Sequence, residues 1–116
     1  MNEIITSLKT RRSIRRYTDQ PIPDAALDAV LEAGLYAASG MNNQQAVLVA
    51  VRDKETRDQL AKLNAAVMGS DRDPFYGAPC VIVVLSDPSK MTWVEDGSLV
   101  IGNLMNAAHS LGLGSC

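Results

Sequence analysis

Arg11, Arg12, Ser13, Arg15 and Arg16 form a run of positive charge and hydrogen-bond donors within six positions. Guanidinium forks match the oxygens of a phosphate, and charge-assisted hydrogen bonds are the strong ones, so this run is suited to hold a phosphorylated ligand. From composition alone a solvated charged turn is the more economical reading. A nucleic-acid surface is the weakest, since only Tyr17 stands nearby to stack on a base and the rest of the chain is acidic. The second polar run, residues 39–44, carries Ser39, Gly40, Met41, Asn42, Asn43 and Gln44 without periodicity. Its amides could donate to and accept from the edge of a planar heterocycle. An ordinary polar connector is the alternative.

Other chemistry is thin. His109 is the only histidine and sits among Ala107, Ala108 and Leu111, a setting for a packed structural side chain rather than a general base. Glu95 and Asp96 are expected to favour the first turn of a helix electrostatically. Cys80 and Cys116 show no CxxC spacing and no histidine cluster, which leaves them as spectator thiols with no metal site. Neither GxGxxG nor GxxxxGK[ST] occurs, so a bound nucleotide would be held in some other way.

The elements that must position these runs follow from periodicity and punctuation. Ile4, Ile5 and Leu8 predict a short helix over residues 2–10 that feeds the arginine run. Asp24 is expected to cap a second helix whose apolar positions are Ala26, Leu27, Val30, Leu31, Ala33 and Leu35. Residues 46–51 read as a short buried strand, and Asp53 caps a third helix with Leu60, Leu63 and Val67 on its apolar side. After a Gly/Asp/Pro-rich loop over 69–79, residues 80–85 are apolar on both faces, as in a strand of a covered sheet. A long helix is expected from Met91 or Thr92 to Leu111, ended by Gly112 or Gly114.

The 116 residues, 47% hydrophobic and 21% charged, make one globular domain, residues 1–116. A net charge of −2 excludes a globally basic nucleic-acid binder, and no apolar run reaches the roughly 18 to 20 residues of a membrane span, so the expected location is cytoplasmic. Helix, helix, strand, helix, strand, helix suggests an α+β sandwich of helices on a small sheet. Two strands alone are marginal, so further strands are expected beyond Cys116 or from another chain.

Taken together these runs resemble the FMN-dependent nitroreductase family. Its Arg-(Arg/His)-Ser-x-(Arg/Lys) element is matched by Arg11, Arg12, Ser13 and Arg15, and its Pro-Ser-x-x-Asn-x-Gln-Pro-Trp element in part by Ser39, Asn42 and Gln44. An Ala-Pro-led strand is echoed by Ala78, Pro79 and the Val/Ile run after them. The helix pattern ending in Gly-Leu-Gly-(Ser/Thr) is matched by Asp96, Gly97, Asn103, Leu104, Ala107, Ala108, Gly112, Leu113, Gly114 and Ser115.

The resemblance implies a three-layer sandwich with a small mixed sheet flanked by helices, a long central helix, and a homodimer with noncovalent FMN at the subunit interface. It assigns the phosphate, ribityl and pyrimidine contacts to Arg11, Arg12, Ser13 and Arg15, and contacts from the other subunit to Ser39, Gly40, Met41 and Asn42. Asn64 aligns with a further flavin contact. The implied reaction is ping-pong electron transfer from NAD(P)H through the flavin to a nitroaromatic, quinone or related acceptor, with no amino-acid general base. The alternatives are a flavin-binding or dimerisation module without turnover, and a small anion- or RNA-binding domain.

Three departures carry expectations of their own. Gln45-Ala46 replaces Pro-Trp, which should leave the loop less fixed; Ala38 replaces the proline before Ser39; and the family pattern continues past Cys116, so the chain is expected to lack a C-terminal portion of the domain and to hold flavin weakly by itself.

Overall fold

A computed structural model describes residues 1–116. Helix α1 (Glu3–Thr10) starts at Asn2, whose side chain accepts from the Ile5 amide at 2.9 Å, and carries Glu3 in its first turn and Lys9 in its last, each suited to the helix dipole. It buries no residue: Ile4, Ile5 and Leu8 remain exposed. Helix α2 (Asp24–Leu35) begins differently from expectation. Pro23 takes the capping position, and Asp24, already helical, pairs with Arg52 instead of capping. The apolar period holds on one side, where Leu27, Val30 and Gly34 are buried, while Leu35 is left exposed.

Strands β1 (Val47–Val51) and β2 (Val81–Leu85) pair antiparallel with Val49 opposite Val83. A parallel bridge between Ser13 and Ser115 adds the other hydrogen-bonding sense, with the Ile14 amide donating to the Ser115 carbonyl at 2.9 Å. β2 is half-buried along most of its length rather than covered on both faces, and its sheet has only two strands.

Helix α3 (Lys54–Met68) is capped by Asp53, which accepts from the Thr56 amide and hydroxyl and whose carboxyl those bonds hold below its ordinary pKa. Its buried side is not Leu63 and Val67, both exposed, but Arg57, Ala61 and Ala65. Arg57 decides the orientation. Its Nε donates to the Ala78 carbonyl at 2.8 Å, its Nη2 pairs with Asp73, and its guanidinium lies 5.5 Å from the Phe75 ring centroid. Burial works against ionising Asp73, yet Arg57 and the Phe75 and Gly77 amides outweigh it and hold the carboxyl below its usual range. The cation and its carbonyl partner thus overrule the aliphatic pattern, since an unpaired guanidinium could not be buried there.

Helix α4 (Trp93–Ser110) is the central element. Gly112, at φ +77°, ends it as the sequence leads one to expect: its amide donates to the His109 carbonyl at 3.0 Å and the Leu113 amide to the Ala108 carbonyl at 2.9 Å. Val100, Leu104 and Ala108 of α4 form the core with Val30 of α2, and Leu48, Ile82 and Val84 of the sheet pack against it. The two helices meet at Gly34, where an added Cβ would stand 2.6 Å from Leu104 Cδ2. No helix is long and apolar enough to cross a membrane.

Candidate functional site

The two polar runs are fastened to opposite ends of α4. Residues 39–44 sit at its start. Gly40–Asn42 forms one 3₁₀ turn, closed by the Asn42 amide donating to the Ser39 carbonyl at 3.0 Å and the Asn43 amide to the Gly40 carbonyl at 3.1 Å. Met41, Asn42 and Gln44 all have left-handed backbone, with φ of 53°, 54° and 52°. Ser39 Oγ accepts from the Gln44 amide at 3.0 Å, and Asn42 Oδ1 from Gln44 Nε2 at 2.8 Å. Met41 projects from the tip, 99% exposed.

What holds this loop is Asp96, which has only 2% of its surface exposed. Its carboxylate accepts from the Gly40 amide at 2.9 Å, from Thr92 Oγ1 at 3.0 Å and from Gln45 Nε2 at 3.2 Å. The Gly40 amide is the main reason its carboxyl lies below the usual pKa, with Gln45 and Thr92 adding to it. A Cβ at Gly40 would fall 2.1 Å from Thr92 Oγ1, so a larger residue there has to displace the hydroxyl that donates to Asp96. Asp96 therefore does more than favour a helix end, which is a correction to the sequence reading. The loop is also not loosened by Gln45. That carboxamide donates to Ser86 Oγ at 2.8 Å and accepts from the Asp87 amide at 2.6 Å, so it ties the loop to the end of β2 as well as to α4.

The arginine run sits at the other end. Thr10 Oγ1 and His109 Nε2 lie 3.1 Å apart, joining the end of α1 to the last turn of α4, so His109 has the structural partner expected of it. Arg11 caps α1 through its backbone, and its Nη1 is buried without any hydrogen-bond partner. Arg12 Nη1 donates to the Lys9 and Arg11 carbonyls at 2.9 and 2.8 Å, while Ser13 and Arg15 are exposed. Beyond them Tyr17 donates to the Ile14 carbonyl, and burial, with help from Cys116, pushes its phenol up. A groove of about 800 Å³ opens here, between Arg16, Tyr17, Phe75, Tyr76, Val81 and the 112–116 segment. Cys80 lines it as a half-buried free thiol whose pKa burial raises, the opposite of an activated nucleophile.

Since α4 has 18 residues, its two ends are about 27 Å apart. The structure does not bring Ser39, Gly40, Met41 and Asn42 together with Arg11, Arg12, Ser13 and Arg15 within one chain. Asn64 joins neither group: it is exposed on α3 and its Nδ2 turns to Met68 Sδ at 3.3 Å. Sequence reasoning missed Gln45, Ser86 and Thr92. The one available signal was Thr92 four residues before Asp96, a spacing that puts both on the same side of a helix start.

Comparison with known proteins gives a consistent answer. Residues 8–75 match the pattern of the nitroreductase family. An FMN reductase [NAD(P)H] of Bacillus subtilis (strain 168) is 33% identical across 99% of this chain, which spans 53% of that protein. An NADPH-flavin oxidoreductase of Vibrio harveyi is 32% identical across 98% of this chain and 52% of its own length. The chain thus spans about half the length of these curated relatives. Among solved structures, a nitroreductase with bound FMN from Bacteroides fragilis NCTC 9343 superposes with a TM-score of 0.91 at 31% identity, over 100% of this chain and 69% of that one.

Proposed function

Because this chain belongs to the nitroreductase family, we propose that it serves an FMN-dependent oxidoreductase that draws electrons from NAD(P)H. FMN, when bound, supplies the two-electron chemistry, taking electrons from NAD(P)H and passing them to a nitroaromatic, quinone or related acceptor in a ping-pong cycle. The residues present fit that group. A buried guanidinium nitrogen left without a partner, as Arg11 Nη1 is, suits an anionic ligand oxygen far better than an empty site. Arg11, Arg12 and Arg15 would hold the phosphate, and Ser13 would add a hydroxyl.

The observation that carries the reading is the separation of the two polar runs along α4. Ser39, Gly40, Met41 and Asn42 cannot reach a ligand held by the arginines of their own chain, so the loop closes over the ring of a flavin held by a second copy. This separation supports a homodimer as the working unit. The exposed apolar side chains of α1, together with Tyr36 and Met41, offer surface for such an association.

The test is direct. Titrating the protein with FMN while following the flavin absorption band should show weak but saturable binding and a doubling of mass in solution, and NADPH with a quinone should then be consumed. Binding without NAD(P)H consumption would assign a flavin-holding module instead, and no binding to a dimeric protein would overturn the reading.

A further inference from the structure

We infer that Gln45 is a positioning residue that holds residues 39–44 in the shape needed to close over the flavin, an inference that rests on the function proposed above. The loop is strained where it matters. Asn42 tolerates left-handed backbone, but at Met41 and Gln44 it is unfavourable for the side chain and persists only where surrounding contacts over-determine it. Packing does not supply those contacts, since Met41 is 99% exposed. The restraint comes from underneath. Gln45 Nε2 donates to Ser86 Oγ at 2.8 Å and to Asp96 Oδ2 at 3.2 Å, while its Oε1 accepts from the Asp87 amide at 2.6 Å. Ser86 Oγ in turn donates to the Trp93 carbonyl.

One carboxamide therefore joins the end of β2, the start of α4 and the base of the loop. It also supplies the NH₂ that faces one oxygen of Asp96, leaving the other free for the Gly40 amide. Only a group that both donates and accepts serves this place. A carboxylate at 45 would face the Asp96 carboxylate and repel it, keeping the Asp87 amide and gaining the Ser86 hydroxyl only if that group turned away from the Trp93 carbonyl.

That asymmetry makes the test. In Gln45→Glu at pH 7.5, FMN should bind roughly tenfold more weakly than in the parent, the loss expected of an unmade buried hydrogen bond. The Gly40 amide should exchange its hydrogen faster by a similar factor in the protein without ligand. As pH falls from 7.5 towards 5 the new carboxyl, whose charge the Asp96 carboxylate disfavours, takes up protons and becomes a donor, and the ratio of variant to parent affinity should move back towards one. Gln45→Ala should show the deficit at both pH values. If Gln45→Glu does not fold at pH 7.5, Gln45→Ala carries the same two measurements. Affinity ratios near one, or an unchanged Gly40 exchange rate, would overturn the inference. A parent protein that binds no FMN would sink the flavin reading, and Gly40 exchange would still decide whether Gln45 positions the loop.

Discussion

At the start of α4 the Asp96 carboxylate has three donors of its own chain around it, whereas at the other end the Arg11 guanidinium keeps a buried nitrogen with no partner. The first region is complete by itself and the second is not. A loop that must meet a ligand from outside benefits from being fixed beforehand, because ordering it on binding would cost conformational entropy. The phosphate site proposed for the arginine run has the opposite need: guanidinium nitrogens already spent on carboxylates would have little left for a ligand.

Breaking the complete end should have the largest effect. Asp96→Ala removes the shared acceptor of Gly40, Thr92 and Gln45, and a thermal melt should show Tm lower by roughly 10 °C. Gly40→Ala comes next. Its Cβ would meet the Thr92 hydroxyl at 2.1 Å, and chemical denaturation should register a loss of about 1–3 kcal/mol.

At the other end the same kind of change should cost less or act on binding instead. Arg11→Ala should leave Tm within a few degrees of the parent or raise it, since it deletes an unsatisfied buried donor, while FMN affinity by titration falls roughly tenfold or more. An equal fall in stability and affinity would show that Arg11 is structural. Gly114→Ala, whose Cβ would lie 3.1 Å from Ile14 Cγ2, should cost under about 1 kcal/mol.

Acid separates the two ends most gently. Asp96 has its carboxyl pKa lowered from 3.8, so the stability it contributes is present above that value and is lost as pH falls through its lower folded pKa. Between pH 7 and 5 the Gly40 amide should therefore keep its protection from hydrogen exchange, and lose it only below pH 4. A loss of protection already at pH 5 would mean that another group holds the loop.

The order of elements, the helix-ending Gly112, the Asp53 cap and the arginine run were all legible in the amino-acid sequence, because each depends on neighbours a few residues away: a period of 3.6, a side chain reaching its own helix start, a left-handed glycine. The face of α3 was not legible. Leu60, Leu63 and Val67 keep a helical spacing as regular as that of Arg57, Ala61 and Ala65, and only the distant Ala78 carbonyl and Asp73 decide which side is buried. The role of Asp96 was hidden for the same reason, since Gly40 and Gln45 lie more than fifty residues before it in the chain. Local sequence determined which segments form and which polar side chains each one carries. Tertiary structure alone decided that the two polar segments stand at opposite ends of one helix, because that separation is a distance in space set by the packing of α1, α2 and α4, and spacing along the chain does not encode it.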